Sequence, residues 1–388
     1  MKLGEPVTIR DMEIRNRVVM PAMAILAHWL GLDGSTEATI DFYGRRANGG
    51  VGAVIVGSLP PSAFIPEEDL KQTVAPHLVM GALERLAARM HESGTRIGVQ
   101  LWHTNMCPSG TARSPFPQEW VAPSPRVEQH SPYQPVGEKM RQLTVDEIHA
   151  IIGRFALASS RIKESGVDFV EFHQAHGHLP YQFFSPIENQ REDRYGGGAA
   201  GRMRFGLECI NEMRKAVGED YPIFVRLGAV DEAPGGVVPA DAVDYAVELE
   251  KASVDCLDVS VGSCSKTDYA SYVSPRKKTP MGTYASLAET IKKKVSIPVV
   301  AVGRINTPEI AEEILGRGQA DLVAIGRQLI CDPSWMNKVI ENRADEIVSC
   351  TSCNTFCWFR ASRGKPATHC CIKTKSPDEE WQRFFPHQ

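Results

Sequence analysis

The sequence predicts an α/β chain folded as one (β/α)8 TIM barrel with a cysteine-rich, cluster-binding C-terminal extension. Three observations carry that prediction. Eight short apolar runs recur along the chain, rich in β-branched residues and bounded by Gly, Pro or Asp, as parallel strands covered on both faces should be. Longer stretches of helical periodicity separate them. Five of the ten cysteines crowd into the 22 residues from Cys350 to Cys371.

The strand candidates are 17–21 (RVVMP), 52–57 (GAVIVG), 96–102 (RIGVQLW), 168–173 (DFVEFH), 223–228 (IFVRLG), 256–261 (CLDVSV), 298–303 (PVVAVG) and 321–326 (DLVAIG). Eight β-then-α units suggest a closed parallel barrel, with a doubly wound open sheet as the alternative. No G-x-G-x-x-G opens a helix after an early strand, which disfavours a dinucleotide-binding Rossmann domain. Among the helices, residues 144–165 open with Thr144 and Glu147 as a capping box, and residues 307–317 carry Pro308 in the first turn. Residues 104–143 are rich in Pro and Ser and follow the third strand, so a long loop on the catalytic face is expected there. The expected division is a barrel over 1–341 and the cysteine extension over 342–388.

Composition narrows the function classes. With 43% hydrophobic and 23% charged residues the chain reads as a soluble globular protein. A net charge of −4 with scattered Lys and Arg argues against a nucleic-acid or polybasic membrane surface. No apolar run reaches the roughly 18 residues of a membrane span, and the N-terminus has no apolar signal core. A cytoplasmic protein, under reducing conditions, is therefore expected, and a homo-oligomer. Disulfides are disfavoured there, so the crowded cysteines read as a metal or cluster site. Cys107, Cys209, Cys256 and Cys331 read as small buried apolar residues, whereas Cys264 follows a strand and could face the site.

Barrel active sites form at the C-terminal strand ends. Those ends supply Pro21 to Ala24, Gly57-Ser58, Gln100 to His103, His173 to His178, Arg226, Gly303-Arg304 and Gly326-Arg327. Gly303 and Gly326 close strands seven and eight, and each precedes an arginine. Exposed backbone N–H groups beside a bidentate donor match the usual barrel phosphate site. His173, His176 and His178 could bind a metal, or could hydrogen-bond a substrate oxygen and move protons.

Several of these segments resemble the old yellow enzyme family of flavoproteins. Asn16-Arg17-Val18-Val19-Met20-Pro21-Ala22-Met23 is similar to that family's first strand. His173-x-x-His176-Gly177, Gln182-Phe183-Phe184-Ser185-Pro186 and Asn189-Gln190-Arg191-x-Asp193-x-Tyr195-Gly196-Gly197 resemble its strand-four signature. Val302-Gly303-Arg304-Ile305 and Ile325-Gly326-Arg327 resemble its phosphate segments, and the order holds over about residues 1–340. The resemblance implies FMN in the barrel, with Ala22, Met23, Ala24, Gly57 and Gln100 along the isoalloxazine ring. It implies Arg226 beside the reduced flavin and Gly303, Arg304, Gly326 and Arg327 around the phosphate. It also implies that His173 and His176 hydrogen-bond a substrate carbonyl, so that the β-carbon accepts hydride from the flavin N5. The family's proton-donating Tyr is replaced here by His178.

Cys350-x2-Cys353-x3-Cys357-x12-Cys370 resembles the 4Fe–4S motif of the 2,4-dienoyl-CoA reductase and trimethylamine dehydrogenase branch. The last gap is one residue longer than in the reductases, so Cys371 competes with Cys370 as fourth ligand. Four thiolates also suit structural zinc on spacing alone. Larger members continue with FAD and pyridine-nucleotide domains, whereas this chain ends at Gln388. The expected redox partner is therefore a separate electron-transfer flavoprotein, ferredoxin or reductase, or else NAD(P)H directly. Three functions compete. The first is reduction of an activated C=C bond in an enone, enoate or enoyl thioester. The second is oxidative N-demethylation of a methylated amine, although Gly57 replaces one aromatic of the expected ammonium cage. The third is a non-catalytic electron-transfer subunit.

Overall fold

The computed structural model describes all residues except 24–34, 66–75, 104–119, 128–136, 138, 232, 263–272, 355–356, 358–369 and 371–388. Eight parallel strands close into a barrel: Val18–Met20, Ala53–Leu59, Arg96–Leu101, Phe169–Gln174, Ile223–Gly228, Cys256–Ser260, Val299–Ala301 and Leu322–Ala324. Closure comes from strand eight pairing with strand one, Val323 opposite Val18 and Ala324 opposite Val19, which rules out the open sheet. Each strand lies within two residues of the run that predicted it.

Two cores result from strand alternation. Outward-facing residues join the helices in one large apolar cluster, while Val19, Ile55, Phe169, Phe224, Cys256 and Leu322 fill the inside of the barrel. Phe169 and Phe224 stack there with centroids 4.3 Å apart, and Gly98 leaves the room, since a Cβ on it would meet Phe169 at 2.2 Å. The antiparallel pair Val7–Ile9 and Met12–Ile14 sends Ile9, Met12 and Ile14 into the same inner cluster. The barrel is thus a packed core and not a pore.

The helix Val145–Glu164 shows how the outer layer is specified. Thr144 caps it, and the predicted reciprocal box with Glu147 forms. Ile148, Ile151, Ile152, Phe155 and Ile162 recur at three- and four-residue spacing on its buried face, each apolar side chain contributing about 1.5–3 kcal/mol. Pro308–Gly316 is likewise capped by Thr307. Residues 104–143 differ from the long loop expected. Trp120–Ala122, Arg126–Val127 and Lys139–Gln142 form a small three-stranded sheet, whose strands are too short and too polar to stand out in the sequence. Among the described residues no helix is long and apolar enough to cross a membrane.

Candidate active site

The inside of the barrel changes character toward the C-terminal strand ends. Above the Phe169–Phe224 layer the next inward positions are Glu171, Arg226 and Asp258, and above those come His173 and Ser260. Register aligns them, with Gln100 opposite Glu171, and Arg226 opposite both His173 and Asp258. Arg226 Nη1 donates to Asp258 Oδ2 at 2.9 Å. Its Nη2 reaches Ser260 Oγ at 3.5 Å, and Ser260 Oγ lies 2.8 Å from His176 Nε2. On the other side Gln100 Nε2 donates to Glu171 Oε1 at 2.7 Å, while Ser58 Oγ donates to Gln100 Oε1 at 2.5 Å.

Two carboxyls beside one guanidinium, all buried, cannot both ionise cheaply. Burial and then the neighbouring Asp258 push the Glu171 carboxyl up to about 8. Asp258 is also raised by burial, but Arg226 opposes the rise, and the direct ion pair leaves the charge on Asp258 and the proton on Glu171.

The three histidines cluster because the chain reverses after strand four. His176 and Gly177 both take left-handed backbone (φ 58° and 69°), and the short helix Leu179–Phe184 then leads away. The His173 ring lies 4.9 Å from His176 and 4.7 Å from His178, and Trp102 meets His178 edge-on at 4.7 Å. Burial lowers all three imidazoles, His178 to about 3 and the other two well below their ordinary value. They are therefore neutral at pH 7, suited to hydrogen bonding and unsuited to storing a proton as imidazolium.

The remaining sites assigned from sequence fall at neighbouring strand ends. A Cβ at Gly57 would come within 2.8 Å of Ala22 Cβ and 2.9 Å of Gln100 Cβ, so strands one to three converge only because residue 57 has none. Gly303 adopts φ 114°, with a Cβ there meeting Tyr284 at 2.6 Å, and a Cβ at Gly326 would meet Met23 Sδ at 2.8 Å. Ala24, Cys107, Cys264 and Cys371 lie outside the described residues. Arg226 Nε and His173 Nδ1 are buried without hydrogen-bond partners. Such atoms, beside glycine-lined strand ends, fit a polar ring system lying across them.

Cys350, Cys353, Cys357 and Cys370 gather near Arg327. Burial raises Cys357 to about 12, with the Arg327 charge opposing and the other three thiols adding to the rise. Among the described residues, however, no three His, Cys, Asp or Glu side chains stand close enough to hold a metal ion as they are placed. The mutual influence of the thiols shows one neighbourhood, not a formed ligand cage. Cys209, Cys256 and Cys331 are buried as expected.

Sequence reasoning missed Glu171, Asp258 and Ser260. The signal was present for the first two, since an acid inside an otherwise apolar barrel strand needs a buried partner.

Residues 2–346 match the NADH:flavin oxidoreductase / NADH oxidase family. The chain belongs to that family. An NADH oxidase of Thermoanaerobacter brockii is 40% identical over 361 residues, covering 90% of this chain and 52% of its own length. A metal reductase of Desulforamulus reducens is 36% identical over 380 residues, covering 97% and 54%. The chain spans about half the length of these two relatives. An NADPH dehydrogenase of Bacillus subtilis is 32% identical over 348 residues and is covered over 96% of its length. Among solved structures, a 2-naphthoyl-CoA reductase complex superposes with a TM-score of 0.83 at 24% identity, over 97% of this chain and 58% of that one, and bears on the fold alone. The 6-hydroxypseudooxynicotine amine oxidase of Pseudomonas geniculata gives 0.80 at 25%, over 94% and 53%. The family is one of FMN-dependent oxidoreductases.

Proposed function

We propose that the chain reduces an activated C=C bond in an enone, enoate or enoyl thioester, using NAD(P)H as the source of electrons. The observation that carries this reading is the set of three buried, neutral histidines above Arg226. FMN, when bound, supplies the two-electron hydride chemistry. His173 and His176 donate hydrogen bonds to the substrate carbonyl oxygen, drawing electron density from the β-carbon without protonating it. Ser260 orients His176 from behind. His178 passes a proton as a neutral imidazole, releasing one from one nitrogen while accepting another on the second. Arg226 offers positive charge to the cofactor from below, with Asp258 holding it in place. Gly303, Arg304, Gly326 and Arg327 hold the phosphate, and Ala22, Met23, Ala24, Gly57 and Gln100 flank the ring.

The tail, residues 342–388, is read as a separate unit beside the barrel of residues 1–341. Cys350, Cys353, Cys357 and Cys370 would hold a 4Fe–4S cluster that relays single electrons to a separate electron-transfer protein. The donor set supports this, since four thiols near one cation suit a cluster that keeps them deprotonated. The alignment with the metal reductase also leaves only about 3% of this chain outside it, so it must take in most of the tail. Amine oxidation is the second reading, favoured by the likeness to the amine oxidase.

The test is anaerobic purification, a visible spectrum with iron and sulfide assays, and NADH consumption with 2-cyclohexenone or trimethylamine as probes. Enone-dependent NADH oxidation that falls at least a hundredfold in His173→Ala/His176→Ala supports the first reading. Flavin reduction by the amine alone supports the second. A protein that retains no flavin overturns both.

A further inference from the structure

The segment carrying the first cysteines is bonded to the two arginines that close strands seven and eight. Arg327 Nη1 donates to Asn354 Oδ1 at 2.6 Å, and Asn354 Nδ2 donates to the Ser274 carbonyl at 2.7 Å. Arg304 Nε donates to Ser352 Oγ at 3.3 Å, and Asn306 Nδ2 donates to the same oxygen at 3.2 Å. Gln328, the residue after Arg327, clamps the segment by donating to the Val348 carbonyl and accepting from the Cys350 N–H. Ser352 and Asn354 are each 1% exposed. Both adopt left-handed backbone, φ 54° and 58°, a conformation that residues other than Gly, Asn and Asp seldom take.

These contacts leave part of each guanidinium uncommitted. An arginine has five N–H donors, and the bonds to Asn354, Ser352 and the Lys277 carbonyl use one at Arg327 and two at Arg304. The tail therefore fixes the direction of each fork while sparing donors for an anion. Phosphate recognition by arginine depends on that direction.

We propose that Ser352 and Asn354 are positioning residues for the cofactor phosphate, so that the cysteine loop pre-organises the flavin site across the boundary between barrel and tail. The inference rests on the reading that Arg304 and Arg327 receive the FMN phosphate. It extends that reading to two uncharged residues that act through the arginines they bond. It also couples the two sites, because folding of the cysteine segment then contributes to FMN affinity.

Ser352→Gly and Asn354→Gly test it, since glycine keeps the left-handed backbone while removing the side chain. Flavin-stripped full-length protein is titrated with FMN and, separately, with riboflavin, which lacks the phosphate, following quenching of flavin fluorescence; iron is assayed on each sample. The expected result is about tenfold weaker FMN binding in Asn354→Gly and a smaller loss in Ser352→Gly, with riboflavin binding unchanged. Equal losses for FMN and riboflavin would mark general damage and overturn the proposal, as would unchanged FMN affinity. A variant that loses iron is judged by the same ratio, because the predicted effect is confined to the phosphate. Wild-type protein that binds FMN no tighter than riboflavin would instead remove the phosphate assignment on which the inference stands.

Discussion

The protonated state of Glu171 gives a stability prediction with a definite sign. Its folded pKa is raised to about 8 from the ordinary glutamate value of 4.5, so between those values the folded protein binds a proton that the unfolded chain has released. Stability must then fall as pH rises through that window, with the contribution intact below about 4.5 and fully lost above 8. Glu171→Gln keeps an oxygen for Gln100 Nε2 and has no proton to gain or lose. Relative to wild type the variant should therefore gain stability with pH, by roughly 1 kcal/mol at pH 5 and at most about 4 kcal/mol at pH 8. Urea unfolding of the FMN-saturated protein, followed by tryptophan fluorescence at pH 5, 6, 7 and 8, reads this directly. Parallel stability curves for the two proteins would refute the protonated Glu171. An Asp258→Asn background supplies the control: removing that charge lets Glu171 ionise against Arg226, so the pH-dependent gain should shrink there.

Three further outcomes follow from the site. Arg226→Met removes the buried cation, and the two-electron flavin potential should drop by at least about 30 mV, read by dye-linked redox titration. Ser260→Ala frees His176 Nε2 from its 2.8 Å partner, and affinity for a para-substituted phenol, a carbonyl mimic, should fall about five- to tenfold with FMN binding unchanged. Gly303→Ala puts a Cβ 2.6 Å from Tyr284 at φ 114°, so about 1–3 kcal/mol of stability and most FMN affinity should be lost by thermal melting and flavin titration.

How much of this was legible depended on the range of the interaction. The eight strands were legible because burial on both faces demands apolar β-branched runs, and the Val145–Glu164 helix because Thr144 and Glu147 advertise its cap locally. The sheet inside residues 104–143 was not, because strands of two to four residues carry too few alternating positions to be read. His173, His176 and His178 stood out as a dense group on one strand end, yet their neutrality follows from burial, which spacing does not report. Asn354 and Ser352 were invisible for a different reason. Each acts on an arginine 27 or 48 residues earlier, and only the closed barrel brings those positions together.

The vertical order inside the barrel explains why the charges sit where they do. A guanidinium at the strand ends, open to solvent, would be screened and would pull weakly on a cofactor. One layer deeper, Arg226 lies between a packed aromatic floor and a roof of neutral imidazoles, where its field is less screened. Depth has a cost, because an unpaired buried cation is strongly destabilising, and Asp258 offsets it through a direct ion pair. A second ionised acid would leave the layer with net negative charge, and a protonated Glu171 avoids that while still holding Gln100 in place. The layer thus carries little net charge when the cofactor is absent. The neutral histidines above add no competing charge, so electrons arriving on a bound flavin meet a cation whose counterion lies on strand six.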